Sequence, residues 1–191
     1  MMTAVATRTE FQLDPDKSYE FVNGQPEEKE MPGAQHSGIC GRLTRKLGAY
    51  VEEREMGEVY PEASFRIGRN ERIPDLAFIA AARIPPEGEP NTAWPMPPDL
   101  AVEIISPSDY YEKVHAKALE YLAAGVQQVW LISPENQTIT VYRSMTNIMA
   151  FPPESELVSE DLLPGFRCPL RSLFKHTAKP TPADDVQPGK D

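Results

Sequence analysis

Hydrophobic and polar positions alternate, or gather into short runs of strand length, along most of this chain, and two stretches carry a helical period instead. Tyr19-Glu20-Phe21-Val22 alternates and Asn23-Gly24 is a two-residue turn signal leading into Gln25 to Met31, so a short N-terminal hairpin is expected. Pro32-Gly33 breaks it. From about Ala34, apolar or half-polar residues recur at three- and four-residue intervals (His36, Ile39, Cys40, Leu43, Leu47, Tyr50, Val51). This predicts an amphipathic helix ending before Gly57. Glu58 to Tyr60 and Ala63 to Ile67 read as strands, and Gly68 to Glu71 as a turn.

Two further apolar runs each carry one carboxylate. Asp75 opens Leu76-Ala77-Phe78-Ile79-Ala80, and Glu103 sits inside Leu100-Ala101-Val102-Glu103-Ile104-Ile105. Residues 83–98 between them hold six of the chain's 20 prolines, which excludes a helix or an inner strand and predicts a functional or mobile loop. After the Glu103 run, Ser108 is the expected N-cap of a helix reaching Ala124 and stopping at Gly125. Its buried stripe is Tyr111, Val114, Ala118, Tyr121 and Leu122, with Lys117 on one border and His115 on the other. Val126 to Ile132 predicts a core strand and Thr138 to Arg143 its antiparallel partner. Leu162 to Leu170 reads as an irregular lid, and no internal repeat is visible.

At 191 residues the chain fits one domain with a full core. The apolar share of 40% is slightly low, matching the polar, proline-rich ends and central loop. Cys40 and Cys168 read as reduced thiols, and the N-terminus shows neither a signal peptide nor a membrane span, so a cytoplasmic protein is expected. A formal net charge of -10 argues against a dedicated electrostatic nucleic-acid binder without excluding a nuclease. Basic groups survive locally at Arg42, Arg45 and Lys46, and at Arg66, Arg69 and Arg72 just before Asp75. The simple reading of both groups is a solvated face; the second is also the candidate DNA-contacting rim of a site.

A carboxylate among aliphatic neighbours is costly unless a cation, a metal or hydrogen bonds neutralise it. Asp75 and Glu103 are therefore candidate ligands of one divalent metal. Two hard oxygen ligands suit Mg²⁺, which keeps several waters and takes further ligands from phosphate. Lys117, on the border of its helix stripe, can lay its stem along the core and present an ammonium to the same place. Aspartate, glutamate, lysine and a divalent cation together point to hydrolysis of a nucleic-acid backbone.

These residues also resemble a known family. The motifs are Tyr19-Glu20...Asn23-Gly24, Ile73-Pro74-Asp75-Leu76-Ala77-Phe78-Ile79, the run Asp99 to Ser108, Lys117...Glu120-Tyr121-Leu122...Ala124-Gly125-Val126, and Trp130-Leu131-Ile132. They look like the Uma-type restriction endonuclease family within the PD-(D/E)XK nuclease superfamily, over roughly residues 19–174. The resemblance implies an α/β (α+β) restriction-endonuclease-like fold, a mixed twisted sheet flanked by helices. Residues 1–17 hold Pro15, several charges and no sustained period, and 175–191 are rich in Pro, Asp and Lys, so a loose arm and a disordered tail are expected around a domain at 18–174. The resemblance further implies Mg²⁺ dependence with Mn²⁺ as a substitute, DNA as substrate, a homodimer, and Asp75 and Glu103 as metal ligands. The superfamily's lysine two residues after the glutamate is replaced here by Ile105, and Lys117 matches the relocated lysine of the Uma-type group. Glu20 falls where the family has a residue near the site, a candidate for support of the metal. His36 is either a satisfied core histidine or a site residue. The alternative to an enzyme is the same fold without catalysis, kept as a nucleic-acid-binding or protein-binding module.

Overall fold

The computed structural model of the chain describes residues 11–176. In chain order the elements are β1 (Ser18–Val22), β2 (Gln25–Lys29), α1 (Ala34–Glu53), β3 (Gly57–Pro61), β4 (Phe65–Ile67), β5 (Asn70–Arg72), β6 (Leu76–Ala80), β7 (Leu100–Ile104), α2 (Tyr111–Ala123), β8 (Gln128–Ser133), β9 (Thr138–Tyr142), β10 (Ile148–Phe151), β11 (Glu156–Val158), β12 (Arg167–Pro169) and α3 (Arg171–Phe174). The centre is a six-stranded mixed sheet in the order β10-β9-β8-β7-β6-β3, antiparallel except for the parallel pair β7 and β8 that α2 connects. A second, four-stranded antiparallel sheet has the order β2-β1-β5-β4. No helix among the described residues is long and apolar enough to cross a membrane.

Period-two alternation divides the central strands between two cores. Leu76, Phe78, Leu100, Val102, Ile104, Trp130 and Ile132 face α1, which contributes Ile39, Leu43, Leu47 and Val51. Ala77, Ile79, Ala101, Val129 and Leu131 face the other way, toward Ala118 and Tyr121 of α2 and toward Phe65 and Trp94. The near-continuous apolar runs of β6, β7 and β8 follow from being covered on both sides. Burying each large aliphatic chain in these cores contributes roughly 1.5–3 kcal/mol, which fixes the helices on the sheet.

The N-terminal hairpin forms as expected. Asn23 and Gly24 have φ of 52° and 79°, the two positive values a type I′ turn demands. Gly125, with φ of 100°, follows the end of α2 in the left-handed position. Elsewhere the structure departs from the sequence reading. Asn70 and Glu71, expected within a turn, form β5 together with Arg72, because the hairpin's β1 offers them a free edge at Phe21. Ser108 does not cap α2: the helix begins at Tyr111, extended Tyr110 occupies the cap position, and no side chain caps it. Tyr111 is 72% exposed and so lies outside the buried stripe, since the helix's first turn overhangs the sheet.

The proline-rich stretch is pinned rather than loose. Trp94 is buried, bridges to Phe65 and exchanges backbone hydrogen bonds with Ser64 and Arg66. The segment Leu162 to Leu170 packs Leu163, Phe166 and Leu170 into the α1 core and contributes no wall to the cleft described below. Residues 1–10 of the expected arm and 177–191 of the expected tail lie outside the described residues.

Candidate active site

The β6–β7 ladder brings the two carboxylates together. Its antiparallel register pairs Leu76 with Val102 and Ala77 with Ala101, so one further step sets Asp75 across from Glu103. Glu103 shares the sheet face of Ala101, the face covered by α2. Lys117 and Tyr121, four residues apart and so on one side of that helix, both reach it. Lys117 Nζ lies 3.0 Å from Glu103 Oε1, and the Tyr121 hydroxyl donates to the same oxygen at 2.6 Å.

Lys117 also donates to Glu20 Oε1 at 2.9 Å, which links α2 to the hairpin. Glu20 is held from two further directions: Ile73 N–H donates to Oε1 and Arg72 Nη1 to Oε2, each at 2.9 Å. Arg72 turns its other donors to Glu120, with Nη2 2.5 Å from Oε2, and Asn70 Nδ2 donates to the second Glu120 oxygen. Glu120 is thereby taken up by β5, and Lys117 points inward instead of pairing with it along the helix.

Asp75 has its own set of donors. Ile104 N–H donates to Oδ2 at 2.7 Å, His36 Nε2 lies 2.9 Å from the same oxygen, and Lys29 Nζ donates to Oδ1 at 2.8 Å. Lys29 also reaches the carbonyl of Ile73, and so ties the end of β2 to the approach to β6. The buried His36 Nδ1 has no partner among the described residues, so Nε2 is the ring nitrogen engaged, with Asp75.

These pairings set the charge states. Burial pushes the Asp75 carboxyl up, but the His36 hydrogen bond and the Lys29 ammonium outweigh it and hold the group well below the usual carboxylate range. Glu20 is likewise lowered: burial opposes ionisation, and Lys117, Arg72 and the Ile73 amide overcome it. Glu103 moves up, driven first by burial, with Lys117 opposing and the charges of Asp75 and Glu20 adding to the rise. Burial pulls Lys117 down, yet Glu103 and Glu20 together raise it, so the ammonium stays charged. The Tyr121 hydroxyl, buried beside Glu103, is raised well above its ordinary value and remains a donor.

Asp75, Glu103, Lys117, Glu20 and Lys29 all line one cleft of about 460 Å³, bounded by β2, the end of β7 and the start of α2. Arg72 touches its floor but does not sit at a rim: it is 8% exposed and committed to two glutamates. Arg66 and Arg69 are exposed on β4 and the turn after it, and neither lines the cleft. Of the predicted residues, the structure gathers Asp75, Glu103, Lys117, Glu20 and His36, and leaves Arg66 and Arg69 apart.

The donor set fits a small, hard cation. Glu103 Oε2 takes no hydrogen bond from the described residues, and Asp75 Oδ1 carries only the flexible Lys29 ammonium. Two carboxylates completed by water and phosphate are a usual Mg²⁺ environment. Among the described residues no three His, Cys, Asp or Glu side chains form a ready-made metal shell, so the protein's share would be these two carboxylates. Lys29, Asn70 and Glu120 were not singled out from the sequence. Lys29 and Asn70 lie in polar stretches without periodicity and Glu120 lies outside the buried stripe of α2, and each acquires its role only when the hairpin and α2 meet over β5.

A mixed sheet covered by helices on both faces, with acidic groups and a lysine gathered where β6 and β7 meet, defines a restriction-endonuclease-like protein. The chain belongs to the Uma2 family, described as "Putative restriction endonuclease", whose model matches residues 8–171. Among solved structures it is similar to one described as a putative nuclease belonging to DUF820 from Anabaena variabilis. The two share 26% identity and a TM-score of 0.77, covering 85% of this chain and 93% of that one. No protein of curated function matches.

Proposed function

We propose that the chain is an endonuclease that hydrolyses DNA phosphodiester bonds with Mg²⁺, or Mn²⁺ in its place, held by Asp75 and Glu103. The observation that carries this reading is the convergence of those two carboxylates and the Lys117 ammonium in one cleft. When bound, the cation supplies Lewis-acid charge to the phosphate and acidifies a water. Lys117, kept charged by Glu20 and Glu103, offers a donor to a phosphate oxygen or to the attacking water. Tyr121 orients Glu103, and Arg72 with the Ile73 amide orients Glu20, so neither carboxylate is free to turn away from the cleft. His36 and Ile104 N–H do the same for Asp75.

The second reading is a binding module without catalysis. One observation favours it: both Asp75 oxygens are already matched by protein donors. Incubating the protein with supercoiled plasmid and with single-stranded circular DNA, in Mg²⁺ or Mn²⁺, separates the two. Nicking or linearisation is expected, lost in Glu103→Gln and slowed about 100-fold or more in Lys117→Met, the size expected for deleting a transition-state donor. No metal-dependent cleavage of either DNA, or undiminished cleavage by folded Glu103→Gln, overturns the enzyme.

A further inference from the structure

We infer that the substrate entering this cleft is an unpaired strand, with a base stacking on Tyr110 at the head of α2; this rests on the endonuclease reading above. Tyr110 is 77% exposed and lines the cleft, and Tyr111 beside it is 72% exposed. Tyr110 thus stands at the mouth of the candidate site with most of its ring in water, whereas Tyr111 does not line the cleft.

Tyr111 is not splayed at random. Its ring lies nearly parallel to His115, with centroids 5.6 Å apart and planes at 8°, and His115 Nδ1 is 3.1 Å from the buried Tyr142 hydroxyl. Tyr111 is thus packed on the His115 side of α2, away from Lys117, which leaves Tyr110 as the ring that faces the cleft.

The helix supplies the rest of the track. Tyr110, Lys113 and Lys117 are spaced i, i+3 and i+7, and all three line the cleft. At about 1.5 Å rise per residue they run along roughly 10 Å, the reach of about two nucleotides, with the aromatic ring outermost and the site lysine innermost.

Charge argues against a duplex in the same place. Glu27, Glu28 and Glu30 on one lip and Asp109 on the other flank the mouth, and acidic residues outnumber basic ones two to one around the cleft. A duplex would press two phosphate backbones toward those carboxylates with few cations to neutralise them. A single strand can instead turn a base onto Tyr110 and offer one backbone to Lys113 and Lys117, since stacking tolerates any sequence and needs little net positive charge.

The test uses full-length Glu103→Gln protein without divalent metal, and fluorescence anisotropy on a single-stranded DNA oligonucleotide, its perfect duplex and the matching RNA strand. Wild-type cleavage of the two DNA forms is run alongside. Single-stranded DNA is expected to bind more tightly than duplex, and 2-aminopurine placed in that strand should be quenched. Adding Tyr110→Ala, at a solvent-exposed position, should weaken single-strand binding about fivefold or more while leaving duplex binding unchanged, the lower end of base–aromatic stacking. Equal binding of duplex and single strand, or no effect of Tyr110→Ala, overturns the inference. Tighter binding of the RNA strand overturns DNA as the preferred ligand. Wild-type cleavage of perfect duplex in preference to single strand sinks the inference and spares the endonuclease reading, whereas no cleavage of any DNA sinks that reading itself.

Discussion

Arg72 divides its guanidinium between two carboxylates from different elements, Glu20 on β1 and Glu120 on α2, at side-chain exposures of 9% for the arginine and for Glu20. Removing one member of such a buried set leaves charge without a partner, which costs about 3–5 kcal/mol, far more than any surface ion pair. Arg72→Met is therefore expected to lower stability by about that much in urea unfolding, and Glu20→Gln added to it should restore part of the loss. The pH dependence follows from the sign of the Glu20 shift. Its folded value is lowered, so the stabilisation from Arg72 is present above the ordinary carboxylate range and disappears as pH falls through the lowered one. The gap between wild type and Arg72→Met should shrink in acid; a gap constant with pH contradicts the pairing. This arginine also marks a limit of legibility. Asp75 and Glu103 stood out because aliphatic neighbours left their charges unexplained, whereas Arg72, in a basic stretch with Arg66 and Arg69, looked like a solvated rim. Its burial depends on β1 arriving from fifty residues away.

The elements most legible in the sequence were those with an uninterrupted period, α1 and the runs of β6, β7 and β8. Where two short strands share an edge, pairing partners decided the outcome, as with β5 beside β1. The start of α2 was misplaced because Ser108 has the chemistry of a cap but stands two residues too early; its neighbour Asp109 accepts a hydrogen bond from Ser106 N–H instead. A glycine shows how closely the central sheet is built. Gly57 opens β3 at φ of 145°, and a Cβ there would lie 2.0 Å from the Ile79 carbonyl oxygen, on the strand that leads from Asp75. Neither atom belongs to a flexible side chain, so β3 must separate from β6 to admit a methyl group. Gly57→Ala is expected to lower the melting temperature by several degrees or prevent folding, while Gly24→Ala, in open space, is strained only by its φ of 79° and should cost less. Equal thermal stability of Gly57→Ala and wild type would show that the start of β3 is not held as described.

At the scale of the whole molecule, the proposed endonuclease requires a chain of net charge -10 to bring a polyanion to a cleft with an acidic lip. Affinity for nucleic acid grows with the number of phosphates neutralised, and that number is read from the dependence of binding on salt. Within the cleft, α2 supplies Lys113, which is exposed, and Lys117, which is turned inward between Glu20 and Glu103, while Arg72 is committed to glutamates and Lys29 to Asp75. Two phosphate contacts on a single strand give a slope of log K against log salt of about -1.4, far shallower than that of a protein with a basic face. Anisotropy of single-stranded DNA with Glu103→Gln across a sodium chloride series measures it. A slope near that value means that stacking and the site lysines provide most of the grip. A slope steeper than about -3 means that more cations take part. The exposed Arg66 and Arg69 are the first to test, because they lie on the sheet that carries β5 and could follow a strand leaving the cleft. Their double substitution to alanine should then flatten the slope by about two phosphates' worth, and leave it unchanged if the cleft alone holds the strand.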